Sequence, residues 1–175
     1  MKHLLVRTRG IVPGGRRVGW GRGFTLIELL IVIGVIAILA TVVVVAINPA
    51  RQFAQARNSQ RVSNVTTILN AIGQNIAENR GVFMCNGISF DIGGASSTAG
   101  IIASGAVGHD LAPCLVPVYI TALPVDPTGT STCTTPMYTD EDSYNTCYEV
   151  SRDAAGRITV RAPSAELGEE IEVTR

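Results

Sequence analysis

A single acidic side chain, Glu28, lies just inside the longest apolar stretch of the chain. The residues that follow it, Leu29 to Ile47, are interrupted only by the small Gly34 and the mildly polar Thr41. As a helix this stretch would extend roughly 28 Å, enough to cross the hydrocarbon core of a bilayer. An unpaired carboxylate at such a position costs on the order of a few kcal/mol. The chemistry that Glu28 can offer is therefore charge pairing with a cation.

The segment before the apolar stretch is basic and could be removed by a cut after Gly23. Its six cations, with no acids among them, are Lys2, Arg7, Arg9, Arg16, Arg17 and Arg22. This bias predicts a single-pass protein of the cytoplasmic membrane, with the N-terminus inside and the C-terminus outside. A secretory signal peptide is cut after its apolar core, whereas a cut after Gly23 would leave the apolar helix on the product. It would also create an α-amine on Phe24, cationic below roughly pH 8, which could pair with Glu28 of another copy.

The run Gly23-Phe24-Thr25-Leu26-Ile27-Glu28 resembles the prepilin peptidase site of type IV pilins and pseudopilins. The similarity extends through Pro49 to about Arg80. The resemblance implies cleavage after Gly23, N-methylation of Phe24 and a role for Glu28 in assembly. It also implies four kinds of partner: identical subunits in a helical filament, the prepilin peptidase and methyltransferase, an inner-membrane assembly platform with its ATPase, and membrane lipid before assembly.

Processing would change the charge of the chain. The full sequence has 14 basic and 14 acidic residues. All 14 acids but only 8 of the basic residues follow Gly23, so the mature chain has a formal charge of 8 − 14 = −6. An acidic chain is poorly suited to binding nucleic acid through its phosphates. We therefore interpret Arg51, Arg57 and Arg61 as a solvated stripe near the membrane, or as charge pairing between packed subunits, in preference to a DNA contact.

The pattern predicts four segments: the leader 1–23, a transmembrane and filament-core helix 24–48, an amphipathic continuation 49–80, and a β-rich extracytoplasmic domain 81–175. Pro49 is expected to bend or locally melt the helix, which should end near Asn79. Its apolar stripe has helical spacing and consists of Ala54, Ala56, Val62, Val65, Ile68, Leu69, Ile72 and Ile76.

The predicted fold class is α+β, a long helix packed on a small antiparallel sheet as in pilins. Strands are predicted at Val82–Cys85, Ile88–Ile92, Tyr144–Ser151, Arg157–Ala162 and Ile171–Thr174. A hairpin should close through residues 152–156, and the Gly-rich segment Gly93–Gly108 is predicted to be an extended surface loop.

Four cysteines lie in the predicted external domain, where an oxidising environment favours disulfides. Three connectivities are formally open. We favour Cys133 with Cys147, because residues 136–145 can turn between them, which leaves Cys85 with Cys114. Zinc is poorly supported, since the chain has no C-x-x-C pair and His109 is the one histidine nearby.

Residues Ile120 to Pro127 resemble the Leu-Pro-x-Asp-Pro segment of major pseudopilins and some pilins. In those pseudopilins the neighbouring loop holds calcium, and Asp126, Asp140, Glu141 and Asp142 could supply oxygen ligands here. The aromatic-glycine continuation is replaced by Thr128-Gly129, and three consecutive acids are more often simply solvated. We therefore expect no cofactor, and calcium is the one alternative that the sequence supports.

No catalytic constellation is recognisable in the sequence, so we expect a structural protein and not an enzyme. His109 lies in a Gly-rich loop without a nucleophile motif and is expected to be exposed. The first hypothesis is a type IV pilus-like filament subunit. The alternatives are the major pseudopilin of a type II secretion system, with a short periplasmic filament, and a single-span surface binding or DNA-uptake protein that never polymerises. Only the last of these tolerates Glu28→Leu.

Overall fold

The computed structural model describes residues 23–92, 99–105, 108–129 and 133–175. The chain divides into two compact units, one ending at Ala46 and the other running from Ile47 to Arg175. The leader ahead of Gly23 lies outside the described residues. The division falls close to the boundary expected between the filament-core helix and its amphipathic continuation.

The first unit contains helix α1, Leu26–Ala46. Its segment Leu26–Val44 has a mean hydropathy of 3.0 and is not buried within the structure, and it is long and apolar enough to cross a membrane. The side chains of α1 are apolar on every face of the helix. No face of α1 therefore suits permanent contact with water. The only side-chain hydroxyl in α1, on Thr41, donates to the carbonyl of Ala37 at 2.9 Å. This removes the polar group from the helix surface.

The second unit begins with a break in the helix at the residue before Pro49. Asn48 adopts a left-handed conformation with φ 43°, and its side chain accepts a hydrogen bond from the backbone N–H of Arg51. Proline fits the following position because the first turn of a helix has no internal acceptor for that N–H. Asn48 and Pro49 therefore start a new helix, α2 (Pro49–Glu78), where the sequence predicts a bend.

Helix α2 buries one face in the core of the second unit. Val65, Ile68, Leu69 and Ile72 are all buried, as their spacing predicts. Ala56 and Val62, which the sequence also assigns to the apolar stripe, are exposed. The remaining buried residues of this face are Ala54, Asn58, Arg61, Ala71 and Asn75.

A five-stranded antiparallel sheet packs against α2. The elements in chain order are β1 (Met84–Cys85), β2 (Ile88–Ser89), β3 (Gly100–Ala103), the short helix α3 (Ala112–Leu115), β4 (Met137–Asp140), β5 (Ser143–Arg152), β6 (Ile158–Ala162) and β7 (Ile171–Thr174). Strands β1 and β2 form a separate hairpin. In the main sheet the order is β3-β5-β6-β7, and β4 also pairs with β5. The α+β prediction is confirmed.

The sequence misses one edge of this sheet. It assigns Gly93–Gly108 to a loop, but Gly100–Ala103 form strand β3 beside β5, with Ile102 and Ala103 buried. The prediction fails because the run Ile101-Ile102-Ala103 is too short to show a period, and its pairing partner lies more than 40 residues further along the chain. Strand β4 and helix α3 were also not predicted.

Two disulfides are present, in the pairing that the sequence favours. Cys85–Cys114 joins β1 to α3, with a Cα–Cα distance of 4.5 Å. Cys133–Cys147 joins the segment before β4 to the middle of β5, with a Cα–Cα distance of 5.5 Å. Both Cα separations are within the range that a disulfide can bridge.

Candidate functional site

The junction before α1 is exposed and non-helical. Gly23, Phe24 and Thr25 precede the first residue of the helix, and the side chain of Phe24 is 75 % exposed. No atom of the described chain lies within 4 Å of the position that a Cβ on Gly23 would occupy. The peptide bond between Gly23 and Phe24 therefore lies outside helical structure, in a form that another protein could reach.

Glu28 and Thr25 cap α1 reciprocally. The backbone N–H of Glu28 donates to Oγ1 of Thr25 at 3.2 Å, and the N–H of Thr25 donates to Oε2 of Glu28 at 3.4 Å. This arrangement is a capping box, which satisfies two N–H groups that a helix start leaves without partners. Glu28 consequently has a structural role within its own chain. This role was not predicted, although the Thr-x-x-Glu spacing is visible in the sequence.

The other carboxylate oxygen of Glu28, Oε1, accepts no hydrogen bond from the described part of the chain. One oxygen thus supports the helix while the second can accept from a group outside it. A cationic amine is the donor best matched to that oxygen, since charge-assisted hydrogen bonds are the stronger ones.

A family model described as the prokaryotic N-terminal methylation motif matches residues 22–44. The chain has the N-terminal signature of the type IV pilin and pseudopilin family. The matched motif supports a type IV pilin-like or pseudopilin precursor. Comparison with curated proteins and with solved structures gives no match. The signature covers the junction and most of α1, and the second unit lies outside the match.

The second notable site is an ionic cluster on α2. The Arg61 side chain is fully buried, and its Nε and Nη2 donate to the two carboxylate oxygens of Asp126 at 2.8 and 3.2 Å. Its Nη1 donates to Glu166 at 2.9 Å, and Arg57 makes two further bonds to that carboxylate at 2.7 and 2.6 Å. The cluster ties the loops around Asp126 and Glu166 to α2.

The interpretation of Arg57 and Arg61 as a solvated stripe is thus wrong. Arg61 is buried and Arg57 is half-buried, and both are paired within the chain. The helical period could have predicted this, because Arg61 continues the Val65, Ile68 and Ile72 stripe one turn earlier. Only Arg51 of the three is exposed.

The arginines hold both acids of the cluster in the charged form. Burial by itself would raise the pKa of Asp126, but the hydrogen bonds from Arg61 and from the N–H groups of Thr128 and Gly129 outweigh it and lower the pKa. Hydrogen bonds from Arg57 and then Arg61 lower the pKa of Glu166 to about 2. Both carboxylates are therefore ionised at neutral pH and each attracts at least one guanidinium.

The four carboxylates considered for calcium do not form a common site. Asp126 is buried in its ion pair, whereas Asp140, Glu141 and Asp142 lie at the turn between β4 and β5. Within the described ranges, no group of three or more His, Cys, Asp or Glu side chains is placed to hold a metal ion. The resemblance at residues 120–127 instead marks a loop that is bonded to α2.

His109 differs from its predicted exposed state. It is half-buried beside β3, where its backbone N–H donates to the carbonyl of Ile101 at 2.7 Å. Burial lowers its pKa. The ring packs against Gly100, where a Cβ would collide with it. This close approach requires glycine at position 100, so the histidine has a packing role here.

Proposed function

We propose that this chain is the precursor of a structural subunit of a type IV pilus-like filament, cleaved after Gly23, methylated at Phe24 and polymerised through α1. The observation that carries the proposal is the junction. An exposed peptide bond lies just before a capped, strongly apolar helix. In its first turn, one carboxylate oxygen of Glu28 has no partner in the described part of the chain. The matched methylation motif covers the same residues.

The proposed chemistry begins with hydrolysis of the Gly23–Phe24 peptide bond by the prepilin peptidase. The leader leaves with the new carboxylate of Gly23, and Phe24 gains an α-amine. Methylation keeps that amine cationic at neutral pH. The amine then pairs with Oε1 of Glu28 in a neighbouring subunit, which gives the one acidic side chain of α1 a partner as the helices leave lipid.

After assembly the apolar helices pack in the filament core and the disulfide-linked domains form the outer, extracellular or periplasmic surface. The small residues Gly34, Ala37 and Ala40 permit close approach of neighbouring helices. The assembly platform and its ATPase supply the work of extracting α1 from the membrane. Filament assembly therefore depends on the platform and its ATPase, because this chain does not supply that work itself.

A second candidate is the major pseudopilin of a type II secretion system. It is favoured by the Leu123-Pro124-Val125-Asp126-Pro127 segment, which is fixed to α2 through Asp126 and to β5 through the bond from the Asp126 N–H to the carbonyl of Thr146, 2.9 Å long. Both candidates need the same processing. Filament length on the producing cell separates them, since a pseudopilus is short and periplasmic.

Mass spectrometry of sheared filaments tests the proposal. We expect a chain that begins with N-methylated Phe24 and lacks residues 1–23. Surface material that retains the leader would contradict cleavage, and a processed chain found solely as membrane monomer would support the single-span binding protein instead. Gly23→Val is the companion variant, expected to leave full-length precursor in the membrane because the added branched side chain obstructs the peptidase.

The capping box lets the charge of Glu28 be tested apart from its role in the helix. Glu28→Gln keeps an acceptor for the Thr25 N–H but loses the charge, whereas Thr25→Ala loses the cap hydroxyl but keeps the charge. We expect Glu28→Gln to be cleaved normally and to reduce filament yield by at least about tenfold, the loss of a charge-assisted bond. Thr25→Ala should stay close to wild type. The reverse pattern would assign Glu28 to helix capping alone.

A further inference from the structure

At the N-terminal end of α2, an exposed cation lies beside an exposed apolar side chain of the β6–β7 connection. Arg51 is exposed and makes no side-chain hydrogen bond or ion pair within the described residues. Of all the residues from Pro49 to Ala77, it is the one charged side chain that is exposed. Leu167, 48 % exposed, lines the same surface depression as Ala50 and Arg51. We call Ala50, Arg51 and Leu167 the Arg51 patch.

The fold holds the side chain of Leu167 in solvent through a strained backbone conformation. Its backbone is left-handed, with φ 61°, a conformation that a leucine adopts only under constraint. The constraint is the preceding residue, since Glu166 is bonded to Arg57 and Arg61 through its side chain and to Asn58 through its backbone. The ionic cluster therefore fixes an apolar side chain in water beside an unpaired cation.

A second surface, which is acidic, lies on either side of Leu167 in the sequence, on the β6–β7 connection and the start of β7. Glu170 and Glu172 are exposed, and neither has a side-chain partner within the described ranges. They line a depression of about 310 Å³ together with the apolar Pro163 and Ala165. Glu169 and Arg161 also line it, and the Arg161 guanidinium is paired with Glu149, so the lining carries more negative than positive charge. Acidic groups beside apolar ones match a guanidinium beside a leucine. The glutamates are not part of any group suited to hold a metal ion among the described residues.

We propose that the Arg51 patch docks onto this depression in a second copy of the chain. The proposal rests on the filament function above, because a filament needs two different surfaces per subunit that meet head to tail. Arg51 donates to Glu170 and Glu172 of the neighbour while Leu167 packs on its Pro163 and Ala165. The charge complementarity fixes the register of neighbouring domains, which the apolar stretch of α1 after Glu28 cannot do by itself.

Charge reversal in the full-length chain tests the contact, with sheared filament yield as the readout. We expect Arg51→Glu, and separately Glu170→Arg with Glu172→Arg, to reduce the yield by at least about tenfold, since each places like charges together. The triple variant should recover to within about twofold of wild type. Arg80→Glu is the matched control and should assemble normally, because Arg80 is the other exposed arginine without a partner in the described chain.

Leu167→Asn separates docking from folding. Asparagine tolerates the left-handed conformation, so the free energy of unfolding should not fall, yet filament yield should. Normal assembly of Arg51→Glu would overturn the docking surface and leave the filament function intact. A loss with Arg51→Glu that the glutamate reversals neither reproduce nor rescue would also overturn it, pointing to a different acidic partner. Absence of wild-type filaments would overturn the filament function and the docking surface together.

Discussion

At the scale of single residues, Arg61 is the clearest case of a charge placed where the sequence suggests an apolar side chain. Its guanidinium is fully buried, and its bonds extend to Asp126, Glu166 and Thr128. A buried ion pair adds little to stability over an apolar replacement, but removing one partner leaves the other charged and desolvated. Arg61 therefore determines how the two loops sit on α2 more than it strengthens the fold.

Replacing Arg61 with methionine should lower the free energy of unfolding by about 3–5 kcal/mol, because the Asp126 carboxylate stays buried without its cation. Arg57→Met, at a half-exposed pair, should cost clearly less. Urea unfolding of the full chain in detergent measures both. Equal losses for the two variants would refute the distinction between a buried and a surface pair.

Stability should also depend on pH through Glu166. Its pKa is lowered from 4.5 to about 2 in the folded chain, so the stabilisation it provides is complete above pH 4.5 and is lost as the pH falls towards 2. The lowered pKa of Asp126 acts in the same direction. We expect the stability difference between wild type and Glu166→Gln to shrink steadily across that interval. A difference that stays constant from pH 5 to pH 2.5 would contradict this assignment.

At the scale of secondary-structure elements, the end of α2 depends on a local hydrogen bond. Helix α2 ends at Glu78, and the N–H of Gly81 donates back to the carbonyl of Ile76 at 2.8 Å. This bond belongs to a Schellman ending, in which the residue before Gly81 takes the left-handed conformation. That residue is Arg80, with φ 59°, although glycine is the usual choice.

Arg80→Gly should therefore be more stable than Arg80→Ala by about 1 kcal/mol, since glycine adopts a positive φ without strain. Both variants lose the same charge, so the comparison isolates the backbone effect. Thermal or urea unfolding of the full chain provides the measurement. Equal stability of the two variants would mean that the end of α2 relaxes into another conformation.

At the scale of the whole molecule, the second unit is a small domain held by one core and two disulfides. The bridges close chain segments with sequence separations of 29 and 14 residues. The first brings the β1–β2 hairpin to α3, and the second anchors the chain before β4 to β5. Each restrains a region at the margin of the main sheet, where strands are short.

Replacing Cys133 and Cys147 together with serine should lower the free energy of unfolding by about 3 kcal/mol, on the chain-entropy view of disulfides. The Cys85 and Cys114 pair closes a longer segment and should cost slightly more, about 3.6 kcal/mol. Urea unfolding under non-reducing conditions compares the two double variants. A much larger loss for the shorter segment would show that contacts around β4 depend on the bridge.

Most of the fold follows from local patterns in the sequence. The long apolar run determined α1, the stripe at Val65, Ile68 and Ile72 determined the buried face of α2, and alternating residues determined β5 to β7. Strand β3 was not predicted because Gly100–Ala103 form a strand only by pairing with β5. A strand of four residues has too few positions to show its period before a partner is known.

The sequence by itself determined the junction at Gly23 to Glu28, because its charge, its helix capping and the proposed cleavage all depend on residues a few positions apart. Only the tertiary structure decided that Arg61 is buried and paired and that the residues of the Arg51 patch lie together at the surface. The acids that pair with Arg61 lie 65 and 105 residues further along the chain, and only folding brings them to α2. Whether an arginine is solvated, paired or free to meet another subunit depends on those long-range neighbours, which no local pattern contains.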